Sequence, residues 1–387
     1  WQDGKKRNSR DKDVEEPMAM LSHYWKLSEK TTLNTNVAFQ TGSIGNSRLD
    51  YQLGNNPDPT YYKNLPSYFS NLGGYTQDQL IGIGNQFRNN SQIDWNAMYI
   101  ANQNSAFSGR SVYVLYQDRT DDNQLSANSI LNSSLSENIS LTAGANFRKL
   151  RSHNHQNLLD LLGGQYFLDI DPFYSGDASQ SDLNNPNRQI GENETYGYNY
   201  LLHALTFDGF TQFKFTYDKA DFYLAQSFSR TEYQREGLYR NGIYADNSFG
   251  KGKSVTFENF GFKGGLTYKL NGRNYFDFNG LYQTKAPSLR NSFSNARMNN
   301  VITPELQSES ITSADASYIL RAPKFKARLT GFYSKIQDAT EISFFYGEGI
   351  GSDDGGDEDT FVSEIVTGID KQNMGAELGL EYQITST

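Results

Sequence analysis

The residues able to do chemistry are few, and most of them stand apart. Of the four histidines only His153 and His155 share a segment, where alternate positions of an extended chain would project to one side, the least that a transition-metal site requires. With no further ligand near them in sequence they read as solvated loop, and no metal ligand is assigned; His23 and His203 stand alone. Asp353, Asp354, Asp357, Glu358 and Asp359 offer carboxylate oxygens to a hard cation, but without the spacing of a calcium loop, and read as a solvated acidic loop. Asp169 and Asp171 are alternate residues of one segment with no partner acid, which is not a glycosidase pair. The run Gly347-Glu348-Gly349-Ile350-Gly351 lacks the flanking strand and helix that a phosphate loop needs and reads as flexible loop. The absence of cysteine removes disulfides, thiolate metal sites and cysteine nucleophiles together. No catalytic residue and no cofactor is assigned, and the chain is expected not to be an enzyme.

The elements that would have to position any site are strands. The chain has 387 residues, a formal charge of −9 and only 36% hydrophobic residues, yet it carries 26 Tyr and 25 Phe. Its mean hydropathy is −0.69. No apolar stretch is long enough for a transmembrane helix, and no basic stripe is present to neutralise nucleic-acid phosphates. The first 16 residues form a mixed-charge segment expected as solvated loop or lumen-facing chain. Alternation with period two dominates the rest. Ile139, Leu141, Ala143, Ala145 and Phe147 oppose Ser140, Thr142, Gly144, Asn146 and Arg148. The same pattern recurs at 260–268, 325–333 and 374–384, with weaker copies at 32–40, 123–135, 210–217, 221–229, 274–282 and 312–320.

Short turns fall at Ser28-Glu29-Lys30, Ser136-Glu137-Asn138, Asp218-Lys219-Ala220, Asn271-Gly272-Arg273 and Ala322-Pro323-Lys324. Between them lie long connections at about 42–108, 151–206, 232–254, 285–308 and 338–362. Every second connection is short. In an up-and-down sheet this puts all short turns at one rim and all long loops at the other, the build of an outer-membrane barrel with short periplasmic turns and long extracellular loops. Tyr217, Phe222, Tyr268, Tyr275, Tyr282, Tyr318, Phe325, Tyr333 and Tyr382, near strand ends, suit two interfacial aromatic girdles. Opposite the apolar stripes stand Arg148, Lys263, Asp277, Asp315, Lys326, Arg328, Glu377 and Glu381, expected to face a polar lumen.

Several motifs sharpen this reading. Tyr282-Gln283-Thr284-Lys285-Ala286-Pro287-Ser288-Leu289, Pro304-Glu305-Leu306 with Glu309, and Gly331-Phe332-Tyr333-Ser334-Lys335-Ile336-Gln337-Asp338 resemble, in order and spacing, the barrel of TonB-dependent receptors. Gly368-Ile369-Asp370 with Gly375-Ala376-Glu377-Leu378 resembles that family's next strand. Upstream, Asn56-Pro57-Asp58-Pro59-Thr60-Tyr61-Tyr62, Leu65-Pro66-Ser67-Tyr68, Asp160-Leu161-Leu162-Gly163-Gly164, Phe167-Leu168-Asp169-Ile170-Asp171 and Asp182-Leu183-Asn184-Asn185-Pro186-Asn187 resemble extracellular loops of the branch bearing an N-terminal carboxypeptidase-regulatory-like domain. The resemblance implies an all-β fold: a transmembrane antiparallel up-and-down β-barrel of roughly 22 strands. About 11 of them are counted over residues 1–387, so the chain is expected to be part of a longer protein whose plug domain and C-terminal strands lie outside it. It further implies a receptor in the outer membrane of a Gram-negative bacterium, taking up a scarce ligand through a plugged lumen. Its partners would be the lipid bilayer, its own plug domain, the periplasmic TonB system, and a surface lipoprotein or other outer-membrane subunits, with no nucleic acid. The rival reading is a scaffolding barrel subunit of a larger outer-membrane assembly, such as secretion or insertion machinery; a soluble β protein with one wet face is a third.

Overall fold

In the computed structural model, residues 7–104, 106, 108–347 and 360–385 are described. The acidic cluster at 353–359 and residues 348–351 of the glycine-rich run lie outside them. Two strands open the sheet, β1 (Lys12–Glu15) and β2 (Met18–Ser28), and both pair with β3 (Thr31–Tyr51). They are two halves of one edge, interrupted at Glu16-Pro17, where proline has no N–H to give to the ladder. The described part of the mixed-charge start, expected as solvated loop or lumen-facing chain, contributes β1. Next come β4 (Tyr113–Ser134), β5 (Ile139–Asp160), the short pair β6 (Phe167–Leu168) and β7 (Gln189–Ile190), and β8 (Thr195–Thr216). The chain continues through β9 (Ala220–Gly237), β10 (Gly250–Lys251), β11 (Val255–Lys269), β12 (Asn274–Lys285), β13 (Glu309–Arg321), β14 (Phe325–Gly347) and β15 (Thr360–Tyr382). The sheet order is β1-β3-β4-β5-β8-β9-β11-β12-β13-β14-β15, all antiparallel, with β10 on β9. This is an antiparallel meander in which sequence neighbours are spatial neighbours.

Register divides the sheet into two faces. Residues directly opposite one another across a ladder project to the same side. One row runs Leu141, Phe213, Leu224, Gly264, Gly280, Ala314, Tyr333, Met374. The next row, one residue along and so on the other face, runs Thr142, Gln212, Ala225, Lys263, Leu281, Ser313, Ser334, Asn373. On the apolar face Leu224 is 60% and Leu378 64% exposed, so no protein covers it. An apolar band displayed to the outside and backed by a polar face is what a membrane-spanning barrel wall requires. Rings cluster along this band, with Phe215 stacked on Phe222 at 4.5 Å and Phe276 against Tyr318 at 5.4 Å. Tyr275 departs from the expected girdle: it is opposite Lys269 and Ile319 on the polar face, where Arg321 stacks on it at 5.1 Å.

The strands run further than alternation indicated. β3 continues to Tyr51, β5 to Asp160, and β8 starts at Thr195, because beyond the apolar band polar and apolar residues no longer alternate by face while the backbone ladder goes on. The Ile336-Gln337-Asp338 step, read as a strand end, is a β-bulge within β14. Asp338, φ 60°, lies in the first of two successive register shifts and Gly368 of β15, φ 68°, in the second; pairing resumes beyond them as far as Gly347 opposite Thr360.

The described long connections are packed rather than loose. The first, between β3 and β4, holds α1 (Pro66–Leu72), α2 (Gln77–Asn89) and α3 (Trp95–Gln103). Pro66 begins α1, where its missing N–H is not needed. Thr76 and Gln79 form a capping box on α2, and Asp94 caps α3. Trp95 and Met98 of α3 pack with Leu162 into a core. Asn102 ties this region together: its Nδ2 donates to the carbonyls of Tyr113, Leu161 and Leu162, and its Oδ1 accepts from the N–H groups of Val112 and Tyr113. A second core joins Val114, Leu158, Leu161, Phe167, Ile190 and Tyr196. A third seats Phe293, from the connection between β12 and β13, against Tyr200, Leu202, Tyr233 and Phe257.

Candidate functional site

All eight charged residues expected to face a lumen fall on one side of the sheet. Arg148 lies opposite Thr206, which leads through Thr231 to Phe257, six residues before Lys263 on the same face of β11. Across the ladders that face continues through Asp277, Asp315, Arg328 and Lys326 to Glu377 and Glu381. Structure brings some of them together. Asp277 accepts from Thr267 at 2.6 Å and from Asn279 at 3.1 Å, Asn279 also donates to Asp315 at 3.1 Å, and Arg328 lies 4.0 Å from Asp277 while donating to Ser317 at 3.1 Å. Lys326 and Glu381 form a separate exposed pair at 2.8 Å near the short-turn rim. Lys263 sits over the Tyr223 ring at 6.0 Å. Arg148 and Glu377 stand apart from that network.

Sequence reasoning missed a denser constellation at the long-connection end of the same face. Asp118 accepts from the Tyr198 hydroxyl at 2.7 Å and pairs with Arg48 and Arg297, each at 3.6 Å. Arg297 stacks on Tyr198 at 4.7 Å. The Tyr196 hydroxyl donates to Asp50 at 3.0 Å, and its ring meets Tyr116 edge-on at 6.1 Å. Arg235, 1% exposed, lies under Tyr200 at 5.1 Å and donates to the carbonyls of Ala296 and Ser248 and to the Asn300 side chain. It therefore clamps the β12–β13 connection onto the wall. A signal was available in Tyr196-Gly197-Tyr198-Asn199-Tyr200, three alternate tyrosines around a glycine; Gly197, φ 66°, forms the bulge that aims them. The remaining partners come from β3, β4 and a connection nearly a hundred residues away, which no local spacing reveals.

Asp169 and Asp171 take structural places in the connection between β5 and β8. Asp169 is buried, pairs with Arg188 at 2.7 Å and accepts from the Gly197 N–H at 2.8 Å. Burial opposes the Arg188 charge, but Asp169 and the Tyr239 hydroxyl more than offset it and hold the guanidinium above its ordinary value. His153 and His155, expected in solvated loop, belong instead to β5, where their rings stack at 4.3 Å.

An outward apolar band, a polar inner face and an aromatic, charge-studded wall at one rim describe the wall of a membrane barrel. No protein-family model matches the chain, and neither does any curated protein. Among solved structures it is similar to the copper transporter OprC, with a TM-score of 0.59 at 13% identity over 98% of this chain and 46% of that one. It is also similar to the FrpB iron transporter from Neisseria meningitidis, F5-1 variant in apoprotein form, with a TM-score of 0.51 at 12% identity over 97% and 43%. The ferric citrate transporter FecA in unliganded form gives 0.50 at 7% identity over 95% and 39%. The chain thus spans less than half the length of each. The fold is that of an outer-membrane β-barrel.

Proposed function

We propose that this chain is the barrel portion of a TonB-dependent receptor in the outer membrane of a Gram-negative bacterium, of the branch with an N-terminal carboxypeptidase-regulatory-like domain. It serves active uptake of a scarce ligand. The observation that carries the reading is the alternation of tight turns with long connections, packed where they are described, on a two-faced antiparallel sheet. In this reading the polar face, with Arg148, Lys263, Asp277, Asp315, Lys326, Arg328, Glu377 and Glu381, lines a lumen closed by a plug domain, and the wall of Tyr196, Tyr198, Tyr200, Asp118 and Arg297 meets the ligand first. Among the described residues the edge strands β1, β2 and β15 each pair on one side only, and in lipid such edges call for further strands. The TonB system supplies the energy, and a surface lipoprotein docks over the long connections.

Orientation and activity are tested separately. Since the chain has no cysteine, single cysteines can be placed in the full-length protein at Asn184, in a long connection, and at Gly272, in a tight turn. A membrane-impermeant maleimide should label Asn184→Cys in intact cells and Gly272→Cys only after permeabilisation; the reverse pattern would overturn the topology. Deleting the gene and inactivating TonB should abolish growth on the same limiting nutrient. Uptake through this protein that survives TonB loss would overturn the transport reading.

A further inference from the structure

One cluster of ligating side chains belongs neither to the polar face nor to the connections. Asp121 of β4 lies opposite His153 of β5, and His155 is the next residue along that face. Their ligand atoms all lie within 4.8 Å of one another. Beyond the row Leu125, Lys149, Leu205 comes the polar row Asn123, Arg151, His203; the row of the cluster follows, where Leu201 opposite His153 is only 5% exposed, and Asp121 lies four residues beyond Leu125. At the rise of a strand that is about 13 Å, which puts the cluster above the apolar band, on the outward face, within reach of ions in water.

We propose that Asp121, His153 and His155 form a binding site for a divalent first-row transition-metal ion on the outer wall, a staple between β4 and β5 distinct from anything that passes through the lumen. Three features support it. Two imidazoles and one carboxylate suit zinc, copper, nickel or cobalt and are poor ligands for magnesium or calcium. His155 is only 7% exposed, and its Nδ1 has no hydrogen-bond partner; a buried ring nitrogen left this way costs free energy that a metal would recover. His153 is already oriented: its Nε2 lies 2.7 Å from Asn199 Oδ1, so Nε2 carries the proton and Nδ1 keeps a free lone pair. A second partner of this kind is what fixes the tautomer of a ligating histidine.

Ligand atoms about 2.0–2.2 Å from one tetrahedral ion lie about 3.4 Å apart, so closing the cluster takes side-chain shifts of roughly an ångström. One neighbour opposes binding. The Arg119 Nε donates to Asp121 Oδ1 at 2.7 Å and must swing aside, which its partial exposure permits.

The test is calorimetric and spectroscopic titration of the chelator-treated full-length protein in detergent with Zn2+ and with Co2+. The expected result is one ion per chain and the visible absorption of cobalt with nitrogen ligands. His153→Ala and His155→Ala should each weaken binding about tenfold or more, and Asn199→Ala by about 10–100-fold. Arg119→Gln should tighten it by releasing the carboxylate. Each variant is checked for heat-modifiable gel migration, so that loss of the fold is not mistaken for loss of the site. Absence of stoichiometric binding to the folded wild type, equal affinity in the His153→Ala/His155→Ala double variant, or weaker binding in Arg119→Gln would each overturn the proposal.

Discussion

The apolar band and the packed rim above it are built from the same strands by different means. In the band, side chains point outward, uncovered by protein, and cohesion comes from the backbone ladder that joins each strand to the next. At the rim the strands extend into water, and cohesion comes from buried aromatic cores around Trp95, Tyr196 and Phe293 and from polar anchors such as Asn102 and Arg235. The band thus tolerates any residue of the right polarity on the right face. The rim depends on particular shapes.

The largest effect should come from breaking the rim. Phe293→Ala empties a position that is 2% exposed and is expected to destabilise the β12–β13 connection by about 3–5 kcal/mol. Hydrogen exchange should accelerate across 286–306 while heat-modifiable migration stays as in the wild type. If the band melts as well, rim and band are one cooperative unit. Next is the band itself. Leu224→Arg, among the lipid-facing residues of β9, should cost about 2–4 kcal/mol in a urea titration of the protein in lipid vesicles. Gln212→Arg, on the polar face of neighbouring β8, should stay within about 0.5 kcal/mol. Equal penalties at the two positions would mean that the faces are assigned wrongly. The smallest effect belongs to the polar face near the short turns. Lys326→Gln removes an ion pair in which both side chains are more than half exposed, and should change the same titration by less than about 1 kcal/mol.

What sequence could reveal follows the same division. Alternation at 139–147 or 325–333 is a local property of one strand, so the two faces and all five tight turns could be read from it. The turns recur as expected, for example with the Leu270 N–H donating to the Asn274 carbonyl. Strand ends could not be read, since above the band residues such as Leu115, Tyr116, Gln117 and Asp118 no longer sort apolar and polar side chains to opposite faces. Nor could the helices be placed by hydropathy, although Thr76-x-x-Gln79 is a capping box in plain view. The wall around Asp118 was beyond reach for another reason: Arg48, Tyr198 and Arg297 meet it from three distant segments. His153 and His155 misled because their third neighbour, Asp121, is supplied by the ladder and not by the chain.

Asn102 also carries an implication for the order of assembly. Its side chain bonds at once to the backbone where β4 begins and to the backbone just past the end of β5. Those groups become neighbours only after the two strands have zipped together along their whole length. Until then the amide has nothing to grip, and the helical segment before it, with its core of Trp95 and Met98, has no floor. The wall must therefore stand before this part of the rim can settle.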